Sequence, residues 1–197
     1  MTFIVLEGGE GVGKSTQARL LAETLRSRGL AVDQTYEPGG TPEGLELRRK
    51  LLHGPAPDPD QELAWMLEDR RLHVTQRIEP DLAQGVIVIC DRFTPSTIAY
   101  QGVGRGLGID YVERRCLEIT GNTVPDLVVV LDLPDDVAET RVAASRDRFE
   151  QESAAFHAAV RNAYRDLAAD RGWVVIDATG TPEHVAARVS KAVEPYL

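Results

Sequence analysis

The sequence predicts an α/β fold, a doubly wound parallel five-stranded sheet flanked by helices, and three observations carry that prediction. Five short runs rich in β-branched residues recur along the 197 residues: Phe3–Leu6, Val32–Tyr36, Val86–Cys90, Leu127–Leu133 and Trp173–Asp177. Helical patterns separate them, as in a sheet built by successive crossovers. The glycine-rich octet Gly8-Gly9-Glu10-Gly11-Val12-Gly13-Lys14-Ser15 sits between the first run and the first helical pattern. A phosphate-binding loop needs that strand before it and that helix after it.

The first, third and fourth runs are apolar almost without interruption, as strands buried on both faces are. After the octet, the helical pattern from Ser15 places Leu20, Leu21, Thr24 and Leu25 on one face, and Gly29 ends it. Gln61–Leu82 carries Leu63, Leu67, Val74 and Ile78 at mixed three- and four-residue spacings. Pro134-Asp135-Asp136 reads as a helix start, and Ala154–Ala169 as an amphipathic helix ended by Gly172. Gly54–Asp60 is proline-rich but too short to link two domains, and no repeat interrupts the chain. Residues 1–197 are therefore read as one domain.

Composition narrows the function. With 43% hydrophobic residues the chain fills a full-sized core. A net charge of −9 argues against a nucleic-acid polymer as partner, because phosphate contacts favour a basic surface. Cys90 and Cys116 lie in apolar stretches without metal-ligand spacing and are read as buried free thiols, which fit a reducing cytoplasm. The N-terminus lacks a signal pattern, and no apolar run approaches the roughly 20 residues that span a bilayer. The expectation is a soluble cytoplasmic protein.

The octet points to a nucleoside triphosphate. Its small residues let successive backbone N–H groups face phosphate oxygens at a helix N-terminus. Lys14 then reaches the β/γ-phosphates, and the Ser15 hydroxyl joins a Mg²⁺ shell. The competing reading is a glycine-rich turn without a ligand, but Lys14 is one of only three lysines in the chain. An N/T-K-x-D stretch for guanine recognition is absent. Asp91-Arg92 follows the third run directly: the carboxylate suits the Mg²⁺ shell, and the guanidinium fork suits a second phosphate. A structural ion pair is the alternative for Arg92. Arg141, Arg146 and Arg148 surround a short polar turn over about 141–150. They are read as a lid that brings positive charge to a transferring phosphoryl group, with a solvated surface as the alternative.

Further motifs follow in order: Glu37-Pro38-Gly39-Gly40-Thr41, Gly44 with Arg48, and Asp69-Arg70 with His73. Then come Asp91-Arg92-Phe93-Thr94-Pro95-Ser96-Thr97-Ile98-Ala99-Tyr100-Gln101-Gly102, Pro125-Asp126-Leu127 and Asp147-Arg148-Phe149-Glu150 with Glu152. Together with the octet this series resembles the bacterial thymidylate kinases over nearly the whole chain. Glu-Pro-Gly-Gly-Thr and Ser-x-x-Ala-Tyr-Gln-Gly set it apart from adenylate, guanylate and shikimate kinases.

The resemblance implies a P-loop kinase fold and transfer of the ATP γ-phosphoryl group to dTMP, giving dTDP and ADP with Mg²⁺. Gly8 through Thr16 would hold ATP, and Ser15 and Asp91 the metal. Arg48 and Arg92 would hold the acceptor phosphate, and Arg70 a thymine carbonyl. Ser96 and Thr97 would line the base edge, while Tyr100 packs where a 2′-hydroxyl would clash. Glu10 would orient the 3′-hydroxyl side of the acceptor, and Glu37 and Gln101 complete its site. His73 matches the family pattern either as a contact or as a core residue. Lys14, Arg92, Glu10 and Arg146 form the expected catalytic set. Arg146 is chosen because it lies at the centre of the turn, whereas Arg148 has Asp147 and Glu150 beside it to hold it.

The chain departs from the family at Met66, where an aromatic ring usually stacks on the base, and at Tyr36, Glu68, Phe93 and Val124. A homodimer is implied, with Gln61–Leu82 and Tyr111–Ile119 as contact helices. Two other readings stay open: a different P-loop small-molecule kinase, and a non-catalytic ATP-binding regulator. The regulator has no need of Arg48, Arg70 and Arg92 together.

Overall fold

The computed structural model describes residues 2–121, 123–134, 136–138 and 147–197; Arg141 and Arg146 lie outside them. Strands β1 (Phe3–Glu7), β2 (Val32–Tyr36), β3 (Ile87–Asp91), β4 (Leu127–Asp132) and β5 (Val174–Asp177) form an all-parallel sheet in the order β2-β3-β1-β4-β5. The five predicted runs are these strands, to within a residue or so at each end. The central strand β1 is buried along its whole length. Its alternation serves both faces: Ile4 and Leu6 pack in one cluster, Phe3 and Val5 in another.

On the first face lie α1 (Lys14–Ser27) and α8 (Pro182–Val193), with Leu21, Leu25, Val185 and Val189 against Ile4, Leu6 and Val129. On the other, α7 (Ala154–Arg171) brings Phe156, Val160 and Tyr164 onto Val128 and Val130. The buried face of α1 differs from the sequence reading: it is Gln17, Ala18, Leu21, Ala22 and Leu25, with Leu20 half-buried and Thr24 exposed. Leu21 and Leu25 stand at i and i+4, and Ala18 and Ala22 continue that stripe rather than Leu20 and Thr24. Helix α7 opens with the Ser153 hydroxyl accepting the Phe156 N–H and closes on Gly172 at φ 67°.

The long helical stretch after Asp58 is built in three pieces. The Asp58 carboxylate caps α3 (Pro59–His73) by accepting Gln61 N–H at 2.8 Å. A π-helical turn (Val74–Ile78) then carries it into the short α4 (Glu79–Ala83). Val74 and Ile78 are still buried against Phe3, Val5 and Val88. Helix α2 (Gly44–His53) and helix α8 were not recognised as helices in the sequence. Nor was α5 (Thr94–Thr97), which runs into a second π-helical stretch (Ile98–Gly104) before α6 (Ile109–Thr120).

The strand register positions the site. Leu6 pairs with Asp91, so the chain leaves β1 into the glycine-rich loop beside the point where it leaves β3 into Arg92. The connections from β1 to β2 and from β3 to β4 run to opposite sides of β1. The loop therefore sits at a topological switch point, where parallel α/β sheets open a crevice.

Candidate active site

The octet folds as its residue types require. Gly13 caps α1 in the left-handed region at φ 94°, and its carbonyl accepts the Gln17 N–H at 3.0 Å. Gly8 has φ 134°, and a Cβ there would lie 2.4 Å from the Leu131 carbonyl oxygen, so only glycine fits. The Lys14 ammonium folds back over the loop, donating to the carbonyls of Gly8 at 3.1 Å and Gly9 at 2.6 Å. Burial, and after it the Arg92 guanidinium, lowers its pKa below the ordinary lysine value. The Val12 side chain belongs to the core, so any part it plays in a nucleotide site is confined to its backbone.

A cleft of about 600 Å³ opens over this loop. Glu10, Gly11, Gly13, Lys14, Ser15 and Thr16 line it from the loop side. Arg48, Met66, Arg70, Ser96, Thr97, Tyr100 and Gln101 line it from the other, with Asp91, Arg92 and Glu37 on its wall. Thus most of the residues singled out in the sequence on separate elements meet in one space, while Gly8, Gly9 and Val12 are not among those that line it. The Ser15 hydroxyl donates to Asp91 Oδ2, while Asp91 Oδ1 is buried with no hydrogen-bond partner among the described residues. A hydroxyl beside a carboxylate oxygen left free suits a hard cation such as Mg²⁺, which takes few protein ligands alongside substrate phosphates.

Arg92 joins the two sides. Its backbone takes φ 74°, uncommon for a residue with a side chain and a form of strain that concentrates at functional sites. Its Nη2 donates to Glu10 Oε1 at 2.6 Å and to the Tyr100 hydroxyl at 3.2 Å. Its Nη1 reaches Gly8 O at 3.3 Å and Ser96 Oγ at 3.1 Å. Burial pushes the Glu10 carboxyl upward, but Arg92, Lys14 and the Tyr100 hydroxyl outweigh it and hold the group at about 2.

On the wall of the cleft opposite the loop, Arg70 is fully buried. Its Nε donates to Glu37 Oε2 at 2.9 Å and its Nη2 to Thr97 Oγ1 at 2.9 Å. Arg48 donates to the Pro38 carbonyl at 2.6 Å and stacks over the Tyr36 ring. Asp69 accepts the Gly39 N–H at 2.9 Å, and burial, with the charge of Glu37, pushes its carboxyl up to about 7. His73 resolves as a core residue: it is enclosed, bonded to Glu37 at 2.9 Å and Thr35 at 2.7 Å, and does not face the cleft.

Arg148 does not line the cleft either, and what holds it differs from expectation. Its Nη1 pairs with Glu62 at 2.6 Å and its Nε donates to the Leu51 carbonyl, while Asp147 and Glu150 bond the local backbone instead. Arg148 is thus fastened to α2 and α3, with Phe149 facing the cleft.

Two residues that matter were not read from the sequence. Glu7, fully buried, accepts from Phe93 N at 2.8 Å, Ser96 Oγ at 2.6 Å and the Tyr164 hydroxyl at 2.8 Å. It fixes the turn that carries Arg92 and Ser96, and burial raises its carboxyl above the ordinary value. Glu62 is the other. The signal for Glu7 was present: a carboxylate closing an apolar strand must find donors, because a buried charge is rarely left alone.

The described residues contain no helix long and apolar enough to cross a membrane. The family model for thymidylate kinase matches residues 6–189. A thymidylate kinase of Synechococcus sp. is 49% identical, over 99% of this chain and 95% of its own length. Those of Thermomicrobium roseum and Pseudomonas fluorescens are 46% and 45% identical, each over 99% of this chain and 95% and 96% of their own lengths. With that likeness along nearly its whole length, the chain belongs to the thymidylate kinase family.

Proposed function

We propose that the protein, a single kinase domain, transfers the γ-phosphoryl group of ATP to dTMP, yielding ADP and dTDP. The observation that carries the reading is Arg92. It spans from the phosphate loop at Gly8 and Glu10 to Ser96 and Tyr100 on the acceptor side. Phosphoryl transfer asks the protein mainly to place two anionic groups in line and to neutralise their charge. Lys14 supplies charge at the donor phosphates and Arg92 with Arg48 at the acceptor phosphate. Glu10 is then released from Arg92 to face the acceptor sugar. Ser15 and Asp91 hold Mg²⁺, which offsets charge on the donor phosphates when bound. Arg146, outside the described residues, is the arginine assigned to charge on the γ-phosphate. An assay of ADP release across nucleoside monophosphates tests this: turnover with dTMP far above the others is expected, and no monophosphate-dependent turnover overturns it.

Tyr100 sits with its ring against Phe149 and Phe156 and its hydroxyl on Glu10 at 2.6 Å. A ring clamped on two sides yields little to a ribose 2′-hydroxyl. Tyr100→Ala is expected to lower the kcat/KM preference for dTMP over its ribonucleotide by about tenfold or more. An unchanged ratio removes the ring from sugar selection.

Met66 is half-buried, lines the cleft and packs with the cluster of Leu52, Tyr100 and Phe149. Its thioether covers a base face less strongly than an aromatic ring. Met66→Phe is expected to lower the KM for dTMP, by at most the roughly 1–3 kcal/mol of base–aromatic stacking. Loss of stability with no gain in KM makes Met66 a packing residue only.

The protein works in the cytoplasm as a homodimer. Support for the dimer comes from α6, whose Ile109 and Leu117 are exposed on the element that packs against α3. Cys90 and Cys116 are buried and unbridged, as a reducing compartment keeps them.

A further inference from the structure

We propose that Glu62 is a positioning residue of the acceptor site, latching residues 148–152 and the amide of Gln101 together. Glu62 lies in the first turn of α3 and is 1% exposed. Its carboxylate accepts four hydrogen bonds from three residues on two other segments: Gln101 Nε2 at 2.8 Å, Arg105 Nε at 3.0 Å and Nη2 at 3.2 Å, and Arg148 Nη1 at 2.6 Å. Of these only Gln101 lines the cleft.

Residues 148–152 are fastened twice. Arg148 is held by Glu62, and Glu152 pairs with Arg105 at 2.6 Å, itself bound to Glu62. Between those two points Phe149 faces the cleft, edge-on to Tyr100 at 5.8 Å. One carboxylate therefore sets both Arg148 and the amide of Gln101. A carboxylate only accepts hydrogen bonds, so it fixes which end of that amide turns away from the cleft: the nitrogen is committed to Glu62 and the carbonyl oxygen is left for a ligand. Burial pushes the Glu62 carboxyl up, but Arg105, Gln101 and Arg148 together keep it below the ordinary value and charged.

The inference rests on dTMP being the acceptor, and kinetics on Glu62→Gln test it. The side chain keeps its shape but loses its charge and half its acceptors. The KM for dTMP is expected to rise about tenfold and kcat to fall several-fold, with the KM for ATP moving less than about twofold. A merely structural ion cluster instead lowers the melting temperature or the active fraction and leaves both KM values at the parent's. Glu62→Asp keeps the charge that Arg105 and Arg148 need for folding but draws the carboxylate back from Gln101. It is expected to raise the KM for dTMP several-fold even if Glu62→Gln does not fold. Parental KM for dTMP in the folded variants overturns the role of Glu62. A parent protein that releases no ADP with dTMP overturns the functional reading, and this inference with it.

Discussion

Lys14→Ala is expected to lower kcat by about 10²–10³-fold while leaving the fold intact, the cost of removing one preorganised charge from a transition state that develops negative charge. Lys14 is held over the loop by the Gly8 and Gly9 carbonyls at 3.1 and 2.6 Å, and in the proposed reaction its charge is set against the donor phosphates. Those carbonyls belong to the loop itself, and losing the ammonium frees them to turn to water or to incoming ligand. Burial lowers the Lys14 pKa, but its charge also helps hold the Glu10 carboxyl at about 2, so a modest fall in melting temperature is expected beside the larger loss of turnover. Single-turnover kinetics with saturating ATP separate loss of binding from loss of chemistry. Turnover within a few-fold of the parent takes the phosphate loop out of the reaction.

The parts of this site that sequence makes visible are those whose chemistry is local. The octet announces itself because backbone amides, glycine torsions and a lysine must all come from eight consecutive residues, and strand β1 and helix α1 confirm it on either side. Asp91-Arg92 is visible for the same reason, directly after an apolar strand. Glu7 and Glu62 were not, although each organises several functional residues. Their donors lie as much as 157 and 86 positions away, and on its own a carboxylate in a first helical turn reads as a favourable partner of the helix dipole. Helix α2 was hidden by its short length and by the glycine that begins it. The face of α1 is not legible from its large residues, because alanines and a glutamine share the buried stripe. The expectation that Asp147 or Glu150 holds Arg148 failed similarly, because sequence neighbours were preferred to Glu62.

Arg92→Ala is expected to lower kcat/KM for dTMP by on the order of 10³-fold, because one guanidinium is asked to bind the acceptor phosphate and to govern Glu10. Truncating one partner of a buried charge pair costs about 2–5 kcal/mol, much of it from the partner left behind. Here that partner is Glu10, held at about 2 against an ordinary 4.5. Such a displacement is worth roughly 3 kcal/mol to the charged form. The sign follows from its direction. A carboxyl depressed in the folded state stabilises the fold above its unfolded value, and that contribution is lost as pH falls through the folded one. The parent therefore keeps this stabilisation from neutral pH down to about 4.5 and loses it between there and about 2. In Arg92→Ala burial is left opposed by Lys14, the Tyr100 hydroxyl and the charge of His157, without the largest opposing charge, so the Glu10 value rises. The gap in melting temperature between parent and variant should be widest near neutrality and narrow as the pH drops toward 2. A gap independent of pH separates Arg92 from Glu10. A variant that loses stability yet keeps the parental kcat/KM reduces Arg92 to a structural ion pair, and the link between the two sides of the cleft goes with it.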